Sequence, residues 1–173
     1  MSKFKSIQEK IKGISRSRGI KKILFICLGN LCRSPMAECL LRTRLESKGK
    51  RDIQISSAGF LDQTGFCSPE EIRVVMDEAG IDVSLHRSSP ATEEKIREAD
   101  LIIVMEKKQR EYLCHQFPDE TYRIFILSQF DYQNPEERDV TDPMGKALPL
   151  YKDCFNKIKT LVEGLTEHIL SIN

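Results

Sequence analysis

Beyond residue 22 the chain switches repeatedly between two hydrophobic periods. Ile23, Leu24, Phe25 and Ile26 form a short unbroken apolar run, the pattern of a strand buried on both faces. After Pro35, a residue suited to a first helical turn, Met36, Leu40, Leu41 and Leu45 recur at helical spacing up to about Gly49. Ile53 and Ile55 alternate with polar residues and predict a second strand ahead of Ser57, Ala58 and Gly59. Ser68-Pro69-Glu70-Glu71 reads as a capping box with proline at the first helical position; Ile72, Val75, Met76 and Ala79 then give an apolar side that stops at Gly80. A further helix is predicted over 92–99 and a third buried strand over 101–105. Next come a helix through Leu113 to about Phe117, ended by Pro118, and a fourth strand over 123–127. From Pro149 a long amphipathic helix places Leu150, Cys154, Ile158, Leu161, Leu165 and Ile169 on one face.

Strands separated by helices imply right-handed crossovers and an α/β fold, a parallel sheet covered on both faces. In such sheets ligands sit beyond the carboxyl ends of the strands. At 173 residues the chain is long enough for one domain with a substantial core, and it shows no internal repeat. With 40% apolar residues and no run of membrane-spanning length, no membrane span is expected. The charged, glycine-broken start is not a secretory leader, so the six cysteines read as cytoplasmic thiols and not as a disulfide framework. Charge is uneven: residues 1–22 hold eight Lys/Arg and one Glu, +7, against −6 for the remainder. Residues 1–21 are therefore expected to be a basic extension, a solubilising, frayed or loosely helical arm, with 22–173 as the folded domain. A contact with an acidic partner or membrane surface is the sharper alternative for that arm. Gly13 to Lys21 has the glycines and lysine of a nucleotide-binding loop at the wrong spacing, and no nucleic-acid partner is expected.

The chemistry lies where the first apolar run ends. Cys27 stands at its carboxyl end, Arg33 follows after a tight loop, and Ser34-Pro35 open the next helix. A phosphate oxyanion needs backbone N–H donors, a helix N-terminus and a planar cation. A cysteine in that electropositive cup ionises readily, and the thiolate is its nucleophilic form. Gly29 and Asn30 are the residue types that tolerate the backbone angles of such a cup. A buried core thiol beside a surface arginine is the plainer reading, but it leaves the anion-suited loop unexplained.

Cys27-Leu28-Gly29-Asn30-Leu31-Cys32-Arg33-Ser34, continued by Pro35-Met36-Ala37-Glu38, resembles the signature loop of the low-molecular-weight protein tyrosine phosphatases. The resemblance spans roughly residue 22 to the C-terminus. It implies a three-layer, flavodoxin-like fold with a four-stranded parallel sheet and helices on both faces. It also draws attention to Asp139-Val140-Thr141-Asp142-Pro143-Met144-Gly145, in a long loop predicted over 128–148. A phosphomonoester does not easily expel an alkoxide or phenolate, so the leaving oxygen needs a proton. Asp142-Pro143 matches the family's acid motif, and Asp139, with no proline after it, ranks below.

The expected mechanism is in-line attack by Cys27, a phosphocysteine intermediate, Arg33 gripping two phosphate oxygens, and Asp142 serving as acid and then as base. Leu28, Gly29, Asn30, Leu31, Cys32 and Ser34 are expected to bind phosphate, with Ser34 also donating to the thiolate. By resemblance, His86 steadies Asn30. Cys32 is read either as a resolving partner that protects Cys27 from oxidation or as a small residue filling a turn. No metal or cofactor is called for. At two points where many members carry rim aromatics this chain has Gln63 and Met144, with Phe60 near enough to substitute at the first. Inorganic phosphate and other oxyanions are the expected inhibitors, and a phosphotyrosine protein the expected substrate. Lys107, Arg110, Leu113 and Cys114 resemble the bacterial branch that partners tyrosine autokinases. Protein-arginine phosphatase remains an alternative, although that pattern has threonine where this chain has Leu31. Arsenate reductase, which needs two more cysteines near the third strand, and an idle phosphate-binding module are weaker alternatives.

Overall fold

A computed structural model describes residues 3–172. Four parallel strands, β1 (Lys22–Cys27), β2 (Gln54–Gly59), β3 (Leu101–Val104) and β4 (Ile124–Ile126), are ordered β2-β1-β3-β4. Ile23 pairs with Ile55 on one side and Leu101 on the other, so β1 is central and buried along most of its length. Six α-helices accompany the sheet: α1 (Lys3–Arg18), α2 (Arg33–Ser47), α3 (Glu70–Glu78), α4 (Glu93–Glu98), α5 (Lys107–Gln116) and α6 (Leu148–Leu170).

Alternation along the strands divides the core into two. Ile23, Phe25, Cys27, Ile103 and Phe125 face a layer that includes α2, α3 and α6, while Leu24, Ile26, Ile102 and Val104 face Ile96 of α4 and Leu113 of α5. This is the three-layer α/β arrangement, and it puts the carboxyl ends of β1 and β2 on the edge where ligands bind in such sheets. Arg123, fully buried, ties the α4–β3 corner to β4: Nη1 donates to the carbonyls of Ile96 and Ala99, while Nε pairs with Glu120 at 2.7 Å.

Three local expectations are corrected. The basic arm is a sixteen-residue helix whose Ile7, Ile11 and Ile14, spaced i, i+4, i+7, are buried against the body. Ser15 Oγ reaches the Ile172 carbonyl at 3.5 Å and Gln8 Nε2 reaches Ser171 Oγ at 3.3 Å, so α1 also meets the end of α6. The capping box at Ser68 does not form: Pro69, extended at ψ 161°, is itself the N-cap of α3, and the buried Ser68 Oγ has no hydrogen-bond partner among the described residues. Leu150 points outward at 49% exposed; Tyr151 and Cys154 turn inward instead. On α5, Leu113 is buried and Arg110 Nε donates to the Ile124 carbonyl at 3.1 Å.

Candidate active site

The loop between β1 and α2 is shaped by its neighbours. Asn30 takes φ 55°, in the left-handed region. Its Nδ2 donates to Ser34 Oγ (3.0 Å) and Ser57 Oγ (2.8 Å), and its Oδ1 accepts the Ser89 N–H (2.9 Å). The Asn30 carbonyl accepts from His86 Nε2 at 2.7 Å, which makes Nε2 the protonated ring nitrogen. One residue thus joins α2, β2 and the 84–89 segment around the loop. Gly59, at the end of β2, lets the loop approach: a Cβ there would stand 2.9 Å from the Gly29 carbonyl carbon and 3.0 Å from Asn30 N.

Cys27 Sγ lies at the base of this cup, 3.1 Å from Ser34 Oγ. Ser34 Oγ accepts from Asn30 and has one proton to give, shared between the Ala58 carbonyl at 3.4 Å and Cys27 Sγ; toward a thiolate it must donate. Helix α2 begins at Arg33 with no side-chain cap and no acidic residue in its first turn, leaving its positive end to the cup.

Arg33 is almost wholly buried. Its Nη1 pairs with Glu106 Oε1 at 2.6 Å and donates to the Val140 carbonyl at 2.9 Å; its Nη2 pairs with Asp142 Oδ2. Nε is buried and has no partner among the described residues. Burial opposes the charge on Arg33, but Asp142, Cys27 and Glu106 outweigh it and hold the guanidinium firmly protonated. Burial likewise opposes ionisation of Glu106, and hydrogen bonds from Arg33 and Lys108 reverse this, holding its carboxyl below the usual range. Glu106 and the Val140 carbonyl escaped the sequence reading. The available signal for Glu106 was a charged residue just past a buried strand, on the ligand-binding edge.

Cys27, Leu28, Gly29, Leu31, Cys32, Arg33, Leu61, Gln63, Asp142 and Met144 line one slot of about 280 Å3. Phe60 is not among them: it stacks edge-on against Tyr112, ring centres 5.6 Å apart, and packs with the cluster on the other face of the sheet. This corrects the expectation that it replaces a rim aromatic. Burial, followed by Asp142, pushes the Cys32 thiol far above its ordinary value, and burial pushes Cys154 up to about 12. No cluster among the described residues has the donors for a metal ion, and no described helix is long and apolar enough to cross a membrane.

A nucleophile-bearing loop at a helix N-terminus, a buried guanidinium and a carboxylate facing one slot together suit the transfer of a phosphoryl group. Residues 22–171 match the family model described as low molecular weight phosphotyrosine protein phosphatase, and the chain belongs to that family. It is 33% identical to the probable low molecular weight protein-tyrosine-phosphatase EpsP of Ralstonia nicotianae, over 88% of this chain and 99% of that protein. The solved low molecular weight protein tyrosine phosphatase from T. tengcongensis superposes with a TM-score of 0.78 at 36% identity, covering 85% of this chain and 98% of that one. The YwlE arginine phosphatase from Geobacillus stearothermophilus superposes at 0.77 with 31% identity, over 87% and 94% of the two chains. All of α1 lies ahead of the matched region.

Proposed function

We propose that the protein hydrolyses phosphotyrosine in protein substrates, and small aryl phosphates, through a phosphocysteine on Cys27. The observation that carries this reading is the convergence of Cys27, Arg33 and Asp142 on one slot at the carboxyl end of β1. The Cys27 thiolate attacks phosphorus as the phosphorus–oxygen bond to tyrosine breaks, and the Asp142 carboxyl protonates the departing phenolate. Water then attacks phosphorus, Asp142 takes its proton, and the sulfur–phosphorus bond breaks to return the thiolate and inorganic phosphate. The free Nε of Arg33, with Nη2 once Asp142 lets go, offers the side-by-side pair of donors that grips two phosphate oxygens. Ser34 stabilises the thiolate, while Asn30 and His86 hold the loop in shape. In this reading 22–173 is the phosphatase domain and α1 an added element, at work in the cytoplasm on proteins phosphorylated by a tyrosine autokinase.

Cys32 is proposed as the resolving thiol for an oxidised Cys27, slowed by its raised pKa. Peptide mapping after peroxide tests this: a Cys27–Cys32 disulfide is expected, and Cys27 sulfinate beside a free Cys32 would count against it.

Relatives named protein-arginine-phosphatase are 32% identical, and so the decisive experiment uses both substrates. Initial rates on a phosphotyrosine peptide and a phosphoarginine peptide, for wild type, Cys27→Ser and Asp142→Ala, are expected to favour phosphotyrosine and to collapse in both variants. The apolar Leu31 in the slot, suited to an aryl group, supports that expectation. Preference for phosphoarginine would transfer the same machinery to the other substrate. Turnover by Cys27→Ser would end the phosphocysteine mechanism.

A further inference from the structure

The slot above Cys27 is walled by hydrocarbon from Leu28, Leu31, Leu61 and Met144, and Gln63 is the one amide side chain in its lining. The position of Gln63 is fixed from below. Its N–H donates to the Leu61 carbonyl at 2.8 Å, the Leu61 N–H to the Leu28 carbonyl at 3.0 Å, and the Phe60 N–H to the Cys27 carbonyl at 3.1 Å. The side chain lies over the anion loop: a Cβ built on Gly29 would be 3.8 Å from Gln63 Oε1 and 3.9 Å from Leu31 Cγ. Its carboxamide has no hydrogen-bond partner among the described residues.

We infer that Gln63 reads the main chain around the phosphorylated residue, making the protein selective for phosphotyrosine held in a polypeptide over isolated aryl phosphates. The inference rests on the phosphotyrosine reading above. A substrate that fills the slot strips water from a side chain with two donors and an acceptor. Phenyl phosphate has no polar group beyond its phosphate to give back, and leaves the amide unsatisfied. A phosphotyrosine residue brings a peptide N–H and C=O just past the ring, where the slot meets solvent. An amide is the side chain that answers both groups. The hydrocarbon walls discriminate weakly, because they take any apolar body of suitable width, whereas a polar group awaiting its partner discriminates strongly. The bonds tying residues 60–63 to the loop carbonyls hold the reader in place before the substrate arrives.

The test compares kcat/KM for a phosphotyrosine peptide and for unsubstituted phenyl phosphate, in wild type and in the near-isosteric Gln63→Met. The ratio of peptide to aryl phosphate is expected to fall about 5- to 30-fold, mainly through a higher KM for the peptide. Gln63→Glu, which keeps an acceptor, is expected to recover part of the loss. An unchanged ratio, or an equal fall for both substrates, would overturn the inference. A wild type that hydrolyses neither substrate would instead defeat the phosphotyrosine reading beneath it, so the two failures are distinguishable. Melting temperatures separate either result from misfolding.

Discussion

Asp142 sits on the group proposed to hold the substrate, the Arg33 guanidinium. Asp142 occupies Nη2 of Arg33, Glu106 and the Val140 carbonyl occupy Nη1, and Nε alone is open. An incoming dianion that takes Nε and Nη2 therefore has to displace Asp142. Removing the charge on Asp142 should tighten oxyanion binding even as it cripples turnover. Opposite unit charges about 4 Å apart attract by about 4 kcal/mol at an effective dielectric near 20. The Asp142 side chain is 35% exposed, and solvent screening reduces the usable part to about 1–1.5 kcal/mol. That corresponds to about tenfold in affinity. Calorimetric titration of phosphate or vanadate into Asp142→Asn and Asp142→Ala is the assay. Both variants should bind about tenfold tighter than wild type, while kcat on a phosphotyrosine peptide falls by about 10²-fold or more. Alanine is included because an asparagine amide could itself donate to the anion. Equal or weaker binding in both variants would refute the reasoning, since it would mean that the ion pair does not compete with the ligand.

Three further outcomes follow from the packing. Gly59→Ala forces a methyl against the backbone of residues 28–30; activity should drop about tenfold or more through a displaced anion loop, and a wild-type kcat/KM would contradict this. Ile11 is fully buried, so Ile11→Ala should cost about 2–4 kcal/mol in urea unfolding, against a few tenths of a kcal/mol for a frayed arm. Burial holds His168 near 4 in the folded chain against about 6.5 unfolded, so the unfolded chain takes up the proton first. Its contribution is intact above pH 6.5 and declines by up to about 1.4 kcal/mol per pH unit toward pH 4. The unfolding free energy of His168→Gln should decline less across that window; parallel curves would argue against the assignment.

The parts of the site carried by neighbouring residues were readable in the linear sequence. Cys27 and Arg33 are joined by one loop, and their spacing after an apolar run states their relation directly. Asp142 could be found across a hundred residues because the resemblance carried by the Cys27 loop pointed to an Asp-Pro in a long loop; Asp-Pro alone is a common turn dipeptide. Glu106, Ser57 and Ser89 could not be assigned in this way. Each acts through a contact made by sheet order or by a crossing segment, and none has a local pattern that says what it will face. The first helix shows a different failure. The isoleucine spacing at 7, 11 and 14 was present, but the weight of charge pointed to a solvated arm; burial of three isoleucines is consistent with that charge because Lys5, Lys10 and Arg16 of the same helix are exposed. The unformed capping box at Ser68 shows that a proline directly after a serine can assume the N-cap position itself.

Asn30 sets what the cup is able to measure. Its side chain and carbonyl are held from α2, β2 and the 84–89 segment, so the chain's own hydrogen bonds set the curvature of the loop. A soft loop would wrap around whatever negative charge it met and rank anions by valence. A stiff one ranks them by outline: vanadate, sulfate and phosphate share a tetrahedral silhouette and compete for the same seat, while planar nitrate and carbonate carry charge of the right sign in the wrong shape. On the proposed reading the site acts as a mould, and the left-handed turn at Asn30 is where the mould is cast.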